Sequence, residues 1–439
     1  MIYVRGSILI KILHTADVHL DSPLRSLALR NSDLRDAVAA ASRSAFRGLV
    51  DFAISEQLSA VLISGDLFDG KERSARTGAF LMAELDRLGD AGIKVFYIKG
   101  NHDAENPITG TLDLPAHVHA FDARGGMEPL TDDIVIHGVS FADRHAPDSL
   151  LPRFKPPVPG AVNIAMLHSS LGGAVGHDIY APCSLADLAG MGFDYWALGH
   201  IHKRQVHSAA PWIVMPGTPQ GRDIGESGPK SATLLTIDEG QIDICEVPSS
   251  VVEFAQSELD VTETESDEAL RALLKSHLKA LRNQIAAPVG VIRLILTGTP
   301  KRHWQILRDR DVWIEQANEL AQATGELWID KLLFDLPPPD ATEGASGAAD
   351  ELATIMATIR GEPGFAALAR DEVETVLQDL PVALRDRLLP DEAARDAMVD
   401  KLAKAGTDVS EVRTTFAATD AMNESASRKN KETHSRIMF

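Results

Sequence analysis

The sequence predicts an α/β protein in which helices cover a central sheet, followed by a small α+β unit and a helical segment. Three observations lead to this prediction. Up to about residue 248, apolar runs of strand length alternate with amphipathic helical stretches, as in layered α/β folds. Residues 251–336 show a strand–helix–strand–helix–strand pattern of their own. Residues 348–422 show only the helical spacing of apolar residues.

The first unit, residues 1–248, is built from short buried runs bounded by glycine or polar residues. Apolar residues at helical spacing predict amphipathic helices over Asp33–Gln57 and Arg76–Ala91. The predicted strands, in order, are Ile8–Leu13, Ala60–Ser64, Val95–Ile98, Ile134–Phe141, Val162–Leu167, Tyr195–Leu198, Trp212–Met215, Ser231–Ile237 and Gln241–Val247.

The remaining chain divides by composition. The second unit, residues 251–336, is predicted as strand Val251–Val261, helix Ser266–Asn283, strand Val289–Thr297, helix Arg308–Thr324 and strand Leu327–Phe334. Residues 337–347, which begin with three prolines and continue with Gly, Ala and Ser, read as a linker. Residues 348–422 form a helical segment that can dock a partner, and the polar, basic residues 423–439 are expected to be disordered.

Composition limits the function classes. No apolar stretch approaches the ~20 residues that span a bilayer, so no membrane association is expected. Only Cys183 and Cys245 occur, which argues against a disulfide framework and favours the cytoplasm. The formal charge of −20 opposes a large nucleic-acid footprint, because phosphate binding is driven by Lys and Arg.

Five predicted strands lead directly into polar residues that can bind metals. The segments are Asp17-Val18-His19, Gly65-Asp66-Leu67-Phe68-Asp69, Gly100-Asn101-His102-Asp103, His168, and Gly199-His200-Ile201-His202. Ligands of open α/β sheets bind outside the carboxyl ends of the strands, so the five segments are expected to meet at one edge. A single Asp or His of this kind is more often a cap or a satisfied core group. The complete set favours a site.

The residue types indicate the metal chemistry. Side chains at i and i+2 of an extended segment point the same way, which pairs Asp17 with His19, and His200 with His202. Together with Asp66, Asn101 and His168 they supply oxygen and nitrogen but no sulfur, a set that suits Mn, Fe, Zn or Mg. Seven ligands exceed one tetrahedral ion and suit two ions ~3.5–4 Å apart that share a carboxylate. The other histidines considered, His14, His117, His119, His137 and His207, lie at no motif position and are left out.

These motifs resemble the calcineurin-like metallophosphoesterase superfamily over residues 14–202. Two segments are similar in sequence to one branch of this superfamily, the DNA repair exonucleases of SbcD and YhaO type. They are Thr15-Ala16-Asp17-Val18-His19-Leu20 and Pro216-Gly217-Thr218-Pro219-Gln220-Gly221-Arg222. The resemblance implies a four-layer α/β/β/α sandwich, with the second unit as a capping domain that binds DNA. It also implies two divalent ions, with manganese expected and iron, zinc or magnesium as alternatives.

The family pattern assigns roles residue by residue. One ion would be held by Asp17, His19, Asp66 and His202, and the other by Asp66, Asn101, His168 and His200. His102 matches the catalytic histidine that assists the leaving oxygen, and Asp103 would orient it. Archaeal members carry a histidine where this chain has Asp69, which leaves Asp69 either a transition-state role or support of the loop.

The implied function is a dinuclear-metal phosphodiesterase, an exonuclease or endonuclease of DNA repair. A metal-bridging hydroxide would attack the phosphodiester in line, and His102 would protonate the departing oxygen. The expected partners are DNA, a coiled-coil SMC-like ATPase subunit and a second copy of the chain. The basic residues proposed to contact DNA are Lys301, Arg302, His303, Arg308 and Arg310. A solvated surface explains that cluster equally well.

Two alternatives use the same residues. The chain could be a phosphodiesterase or phosphatase for small molecules, or a regulatory scaffold that docks an ATPase through its helical segment. The stretch Gly225-Glu226-Ser227-Gly228-Pro229-Lys230-Ser231 faintly resembles a phosphate loop but lacks the glycine directly before the lysine, so it is interpreted as a turn.

Overall fold

A computed structural model of the chain describes residues 9–22, 38, 40–69, 74–106, 113–172, 180–337, 348–378, 385, 389 and 391–401. The strands within these ranges are β1 (Ile10–Thr15), β2 (Ala60–Ser64), β3 (Lys94–Ile98), β4 (Val118–Ala120), β5 (Gly126–Thr131), β6 (Ile134–Val139), β7 (Val162–His168), β8 (Tyr195–Gly199), β9 (Gln205–Ala209), β10 (Trp212–Met215), β11 (Ser231–Asp238), β12 (Gln241–Pro248), β13 (Val252–Asp260), β14 (Val289–Thr297) and β15 (Leu327–Asp335). The helices are α1 (Ala41–Ser55), α2 (Ala75–Asp90), α3 (Asn101–Glu105), α4 (Leu185–Gly190), α5 (Asp267–Gln284), α6 (His303–Arg308), α7 (Arg310–Ala323), α8 (Ala348–Arg360) and α9 (Pro363–Gln378).

Two six-stranded sheets form the centre of the first part of the chain. One has the order β12-β11-β1-β2-β3-β4 and the other β5-β6-β7-β8-β10-β9. A shared apolar core joins them, with Leu62 and Phe96 from the first sheet packed with Ile164 and Tyr195 from the second. Helices α1 and α2 cover the outer face of the first sheet, and α4 covers that of the second. This layering confirms the predicted α/β/β/α fold.

Parallel pairing aligns the strand ends. β1, β2 and β3 are mutually parallel, and so are β6, β7 and β8, so each sheet gathers the carboxyl ends of its central strands at one edge. Polar bridges then join the two edges. The Ser64 hydroxyl donates to the carbonyl of Ala197, and the buried His14 contacts the Tyr195 hydroxyl and the Leu198 carbonyl, each at 3.0 Å. The loops that follow these strands are therefore held together.

The second predicted unit is a sheet of three parallel strands in the order β13-β14-β15. The side chains of Leu270, Leu274 and Leu278 on α5 are buried, as the predicted helical spacing requires. The helix predicted over Arg308–Thr324 begins instead at Arg310. Asp309 interrupts the helical conformation and separates this helix from the short helix α6. Sequence reasoning also missed β4, β5 and β9, which are short and partly polar.

The chain divides into two compact units, of which one joins the residues up to Lys301 with Asp309–Pro337. The other contains α6, α8 and α9, and so the predicted helical segment is present. Predictions for the start of the first helix, for residues 338–347 of the linker and for the tail 423–439 fall outside the described residues. Among the helices that are described, none combines the length and apolar character needed to cross a bilayer.

Candidate metal centre and active site

The loops that follow β1 and β2 run side by side and place the first ligands. The backbone amide of Asp17 donates to the Gly65 carbonyl, and that of His19 donates to the Asp66 carbonyl, both at 3.0 Å. Across the gap between the sheets, the amide of His200 donates to both carboxylate oxygens of Asp17, at 3.1 and 3.0 Å. Three strand ends from two sheets are therefore fixed by hydrogen bonds that backbone amides donate to carbonyl or carboxylate oxygens.

Four of the predicted ligands have left-handed backbone conformations. The φ angles of Asp17, His19, Asp66 and His200 are 52°, 45°, 52° and 102°. Such values are uncommon outside glycine and cost of order 1–3 kcal/mol per residue, and they cluster at functional sites. The extended i, i+2 geometry that we predicted for Asp17 and His19 is wrong, although the two side chains do converge.

Glycines let the strand ends approach one another closely. A side chain at Gly100 would collide with the Asp66 carboxylate and the His168 ring, and one at Gly199 would collide with the Ser64 carbonyl. These two positions require glycine because of the close packing of the ligands, and neither has a left-handed φ.

The first ligand group consists of Asp17, His19 and His202, whose ligand atoms all lie within 4.8 Å of one another. Nε2 of His19 and Nε2 of His202 are 3.1 Å apart, and Nε2 of His202 is 3.9 Å from Oδ1 of Asp17. Asp17 and His19 are fully buried. These are the residues predicted for one ion.

The second group consists of Asp66, His168 and His200, again within 4.8 Å of one another. Oδ1 of Asn101 lies 3.1 Å from Nε2 of His168 and belongs with them. The Nδ1 of His168 lies 2.9 Å from the Ser64 carbonyl; as the donor in this hydrogen bond, it leaves Nε2 facing the group. These are the residues predicted for the other ion.

Asp66 lies between the two groups. Its Oδ2 is 3.9 Å from Nε2 of His19 and 3.3 Å from Nε2 of His168. In the described part of the chain, no Lys or Arg forms an ion pair with either Asp17 or Asp66, and both carboxylates face imidazoles instead. Oxygen and nitrogen donors arranged in this way fit two divalent cations with Asp66 shared.

Burial and mutual charge set the protonation of the groups. Burial raises the pKa of Asp17 to about 6. Burial also opposes ionisation of Asp66, but the adjacent His168 imidazole outweighs it and holds the pKa of Asp66 well below its usual range. Burial lowers the pKa of His168, yet the Asp66 charge raises it to about 9 overall. The Asp66 carboxylate thus interacts electrostatically with a histidine of each group.

His102 and Asp69 form a pair beside the first group. Nδ1 of His102 lies 3.3 Å from Oδ1 of Asp69, and the His102 ring lies 4.9 Å from that of His19. We predicted that Asp103 orients His102, and the structure assigns this contact to Asp69 instead. The buried Asp103 carboxylate accepts hydrogen bonds from the amides of Phe68 and Gly100, at 3.0 and 3.2 Å, and so fixes the loop. The two aspartates thus exchange the roles expected for them.

The Asp69 contact predicts a pH effect. Burial lowers the pKa of His102, but the hydrogen bond to Asp69 and the charges of Asp66, Asp69 and Asp103 together more than offset it, so the pKa lies above its ordinary value. Protonated His102 therefore persists to higher pH and is lost as pH rises through the raised pKa. Asp69→Asn should move the alkaline limb of the pH–rate profile to lower pH and reduce kcat by up to about 10²-fold.

The same substitution at an exposed aspartate provides the control for Asp69→Asn. Asp122 is exposed and pairs with Arg124, so Asp122→Asn should leave the profile unchanged. If Asp69→Asn lowers kcat equally at every pH, Asp69 supports the loop and does not govern the protonation of His102.

Sequence reasoning missed a further layer around His202. Oε1 of Glu226 lies 2.6 Å from Nδ1 of His202, and Arg222 lies against the same carboxylate, with Nη2 at 2.8 Å from Oε1. Arg222 ends the family-like run Pro216–Arg222, and Glu226 lies in the stretch Gly225–Ser231 that was interpreted as a turn. The available signal was the family-like run that ends at Arg222, and no spacing rule links it to His202.

The basic residues proposed for DNA are not brought together in one compact unit. Arg302–Arg308 falls in one unit, and Lys301 and Arg310 fall in the other. The Arg308 guanidinium stacks over Trp304, with 4.9 Å to the ring centroid, and Arg310 pairs with Asp311 at 3.7 Å. The histidines left out by the sequence reasoning also lie outside the described ligand groups.

Comparison with known proteins agrees with this geometry. The sequence profile of the calcineurin-like phosphoesterases matches residues 10–204, and that of the middle domain of metallophosphoesterase YhaO matches residues 254–336. The chain is 34% identical over 293 residues to the uncharacterized metallophosphoesterase YhaO of Bacillus subtilis. The matched region covers 65% of this chain and 71% of that protein.

More distant relatives include the DNA double-strand break repair protein Mre11 of Sulfurisphaera tokodaii, 29% identical over 204 residues, with 45% of this chain and 50% of that protein covered. The chain thus spans about half the length of that relative. Among solved structures, a dimetal phosphatase from Danio rerio matches 55% of this chain and 99% of its own, at 13% identity and a TM-score of 0.35. Given the profile matches, the ligand geometry and the identity to YhaO, this chain belongs to the calcineurin-like metallophosphoesterases and, within them, to the YhaO family.

Proposed function

We propose that the chain is a dinuclear-metal phosphodiesterase that hydrolyses DNA as an exonuclease or endonuclease in DNA repair. The observation that carries the proposal is the pair of ligand groups that share Asp66, with His102 beside them. DNA as the substrate is supported by the similarity to Mre11 proteins named for double-strand break repair.

The protein residues have separable tasks in this reaction. When bound, two divalent ions would supply positive charge for the phosphate oxygens. They would also lower the pKa of a bound water toward neutral pH. Asp17, His19 and His202 would hold one ion, Asn101, His168 and His200 the other, and Asp66 both. Manganese is the metal that we propose, with iron, zinc and magnesium as alternatives that fit the same donors.

His102 supplies the proton for the leaving oxygen. Asp69 keeps the proton of Nδ1 in place, so Nε2 is the nitrogen that can donate to a departing 3′ or 5′ oxygen. The His102 side chain is one-third exposed, unlike the buried ligands, so a substrate can reach it. General acid assistance of this kind contributes typically ~10²–10⁴-fold.

The test is hydrolysis by the full chain with Mn²⁺ on three substrates: linear single-stranded DNA, linear double-stranded DNA, and a small phosphodiester such as bis-p-nitrophenyl phosphate. We expect cleavage of DNA that chelation abolishes. Hydrolysis of the small phosphodiester alone would assign the chain to small-molecule metabolism. Tight binding of Mn²⁺ without hydrolysis of any substrate would favour the regulatory scaffold.

The partners and location stay proposals of the same kind. We propose a coiled-coil ATPase as the partner of residues 348–422, the capping domain and its basic residues as a DNA contact, and the cytoplasm as the location. Because the formal charge of the chain is −20, we expect it to neutralise few phosphates. DNA binding should therefore weaken less steeply with salt than that of strongly basic nucleases. Purification of the full chain, with identification of the proteins bound to it and measurement of its mass in solution, tests the ATPase partner and the homodimer together.

A further inference from the structure

We propose that Glu226 is a positioning residue for the metal ligand His202. Its carboxylate holds the imidazole proton on Nδ1 and so directs the unprotonated Nε2 into the group formed with Asp17 and His19. The inference rests on the metal-binding part of the proposed function and adds a residue outside the five predicted ligand segments.

The contact geometry allows only one direction for this hydrogen bond. Oε1 of Glu226 lies 2.6 Å from Nδ1 of His202. An ionised carboxylate accepts and cannot donate, so Nδ1 carries the proton. A neutral imidazole with its proton on Nδ1 has its lone pair on Nε2, the atom 3.1 Å from Nε2 of His19.

Arg222 makes the role of Glu226 more than a general support. Nη2 of Arg222 lies 3.0 Å from the same Nδ1 of His202, and a guanidinium can only donate. If Arg222 were the sole neighbour, Nδ1 would have to accept and the proton would move to Nε2, which could then not bind a cation. Glu226 prevents this by accepting from Nε and Nη2 of Arg222, at 3.1 and 2.8 Å. The carboxylate thus selects the imidazole tautomer.

The turn that carries Glu226 is held by the capping unit. A 3-10 turn spans Ile224–Glu226, and two residues later the amide of Gly228 donates to the Phe254 carbonyl on β13 at 2.8 Å. Before the turn, the Gln220 side chain donates to the carbonyl of Val252 at 2.7 Å and accepts from the amide of Val251 at 2.9 Å. The first strand of the capping unit therefore fixes the carboxylate that orients a ligand of the metal centre.

The decisive experiment compares Glu226→Ala with the wild-type full chain, both stripped of metal. Calorimetric titration with Mn²⁺ should show one site weakened by about 10–100-fold and the other unchanged, as for loss of an outer-shell partner. Imidazole nitrogen NMR of histidine-labelled, metal-free protein should show His202 protonated on Nδ1 in the wild type and on Nε2 in the variant. A structural role alone would not move that proton.

Glu246→Ala is the matched control, because the Glu246 carboxylate pairs with Arg204 at 3.3 Å in an exposed position and should affect neither measurement. If Glu226→Ala does not fold, Glu226→Leu decides, since its side chain fills a similar volume but cannot accept from Nδ1 and should weaken the same site. Unchanged Mn²⁺ affinity at both sites, or an unchanged tautomer, overturns the inference. Absence of Mn²⁺ binding by the wild type would instead overturn the proposed function.

Discussion

Asp66→Asn should remove Mn²⁺ binding at both ligand groups and reduce phosphodiester hydrolysis to background. Asp66 is the carboxylate between His19 and His168, at 3.9 and 3.3 Å, so one substitution affects both groups. The loss of affinity should exceed the ~10–100-fold that loss of an outer-shell partner costs. Asparagine is chosen because the φ of 52° at this position strains alanine more than asparagine.

Metal content and thermal stability check this expectation together. Mn²⁺ should raise the Tm of the wild type by mass action and leave that of Asp66→Asn unchanged. Asp51→Asn is the control, because Asp51 pairs with Arg87 on a helix surface and has no part in the site. A variant that still binds Mn²⁺ at one group with wild-type affinity would show that Asp66 is not shared.

The ligand residues were predictable because their signals are local. Each follows a short buried strand, and parallel pairing requires those strand ends to meet. The orienting role of Asp103 was carried over from the family pattern, and the structure shows the contact with His102 for Asp69 instead. Asp103 and His102 both lie on α3, where neighbours in sequence do not share a face, so Asp103 is buried under the loop while His102 remains accessible.

Contacts between distant segments were not predictable in this way. Glu226 follows His202 by 24 positions, and it reaches the imidazole only because the intervening chain passes through β9 and β10 and is then held by β13. Asp69 meets His102 for a similar reason, since the β2 and β3 ends lie side by side. Residue spacing does not contain these distances, which depend on the packing of two sheets and the capping unit.

His102→Ala should leave two equivalents of Mn²⁺ bound and reduce kcat by ~10²–10⁴-fold, the contribution of a general acid. Metal binding should survive while catalysis is lost, because His102 contacts the ligand Asp66 through its backbone. The His102 amide donates to Oδ1 of Asp66 at 2.9 Å, and the substitution keeps this amide. The imidazole contacts Asp69 and lies beside His19, and neither contact fixes a predicted ligand group.

The leaving group makes the His102 prediction specific to proton donation. The deficit of His102→Ala should shrink on a phosphodiester with an acidic leaving group, such as p-nitrophenolate, which departs without a proton, and stay large on DNA. His207→Ala on the edge strand β9 is the matched control and should behave as wild type on both. An equal deficit on both substrates would mean that His102 binds the phosphate, and the proton would then have to come from another group.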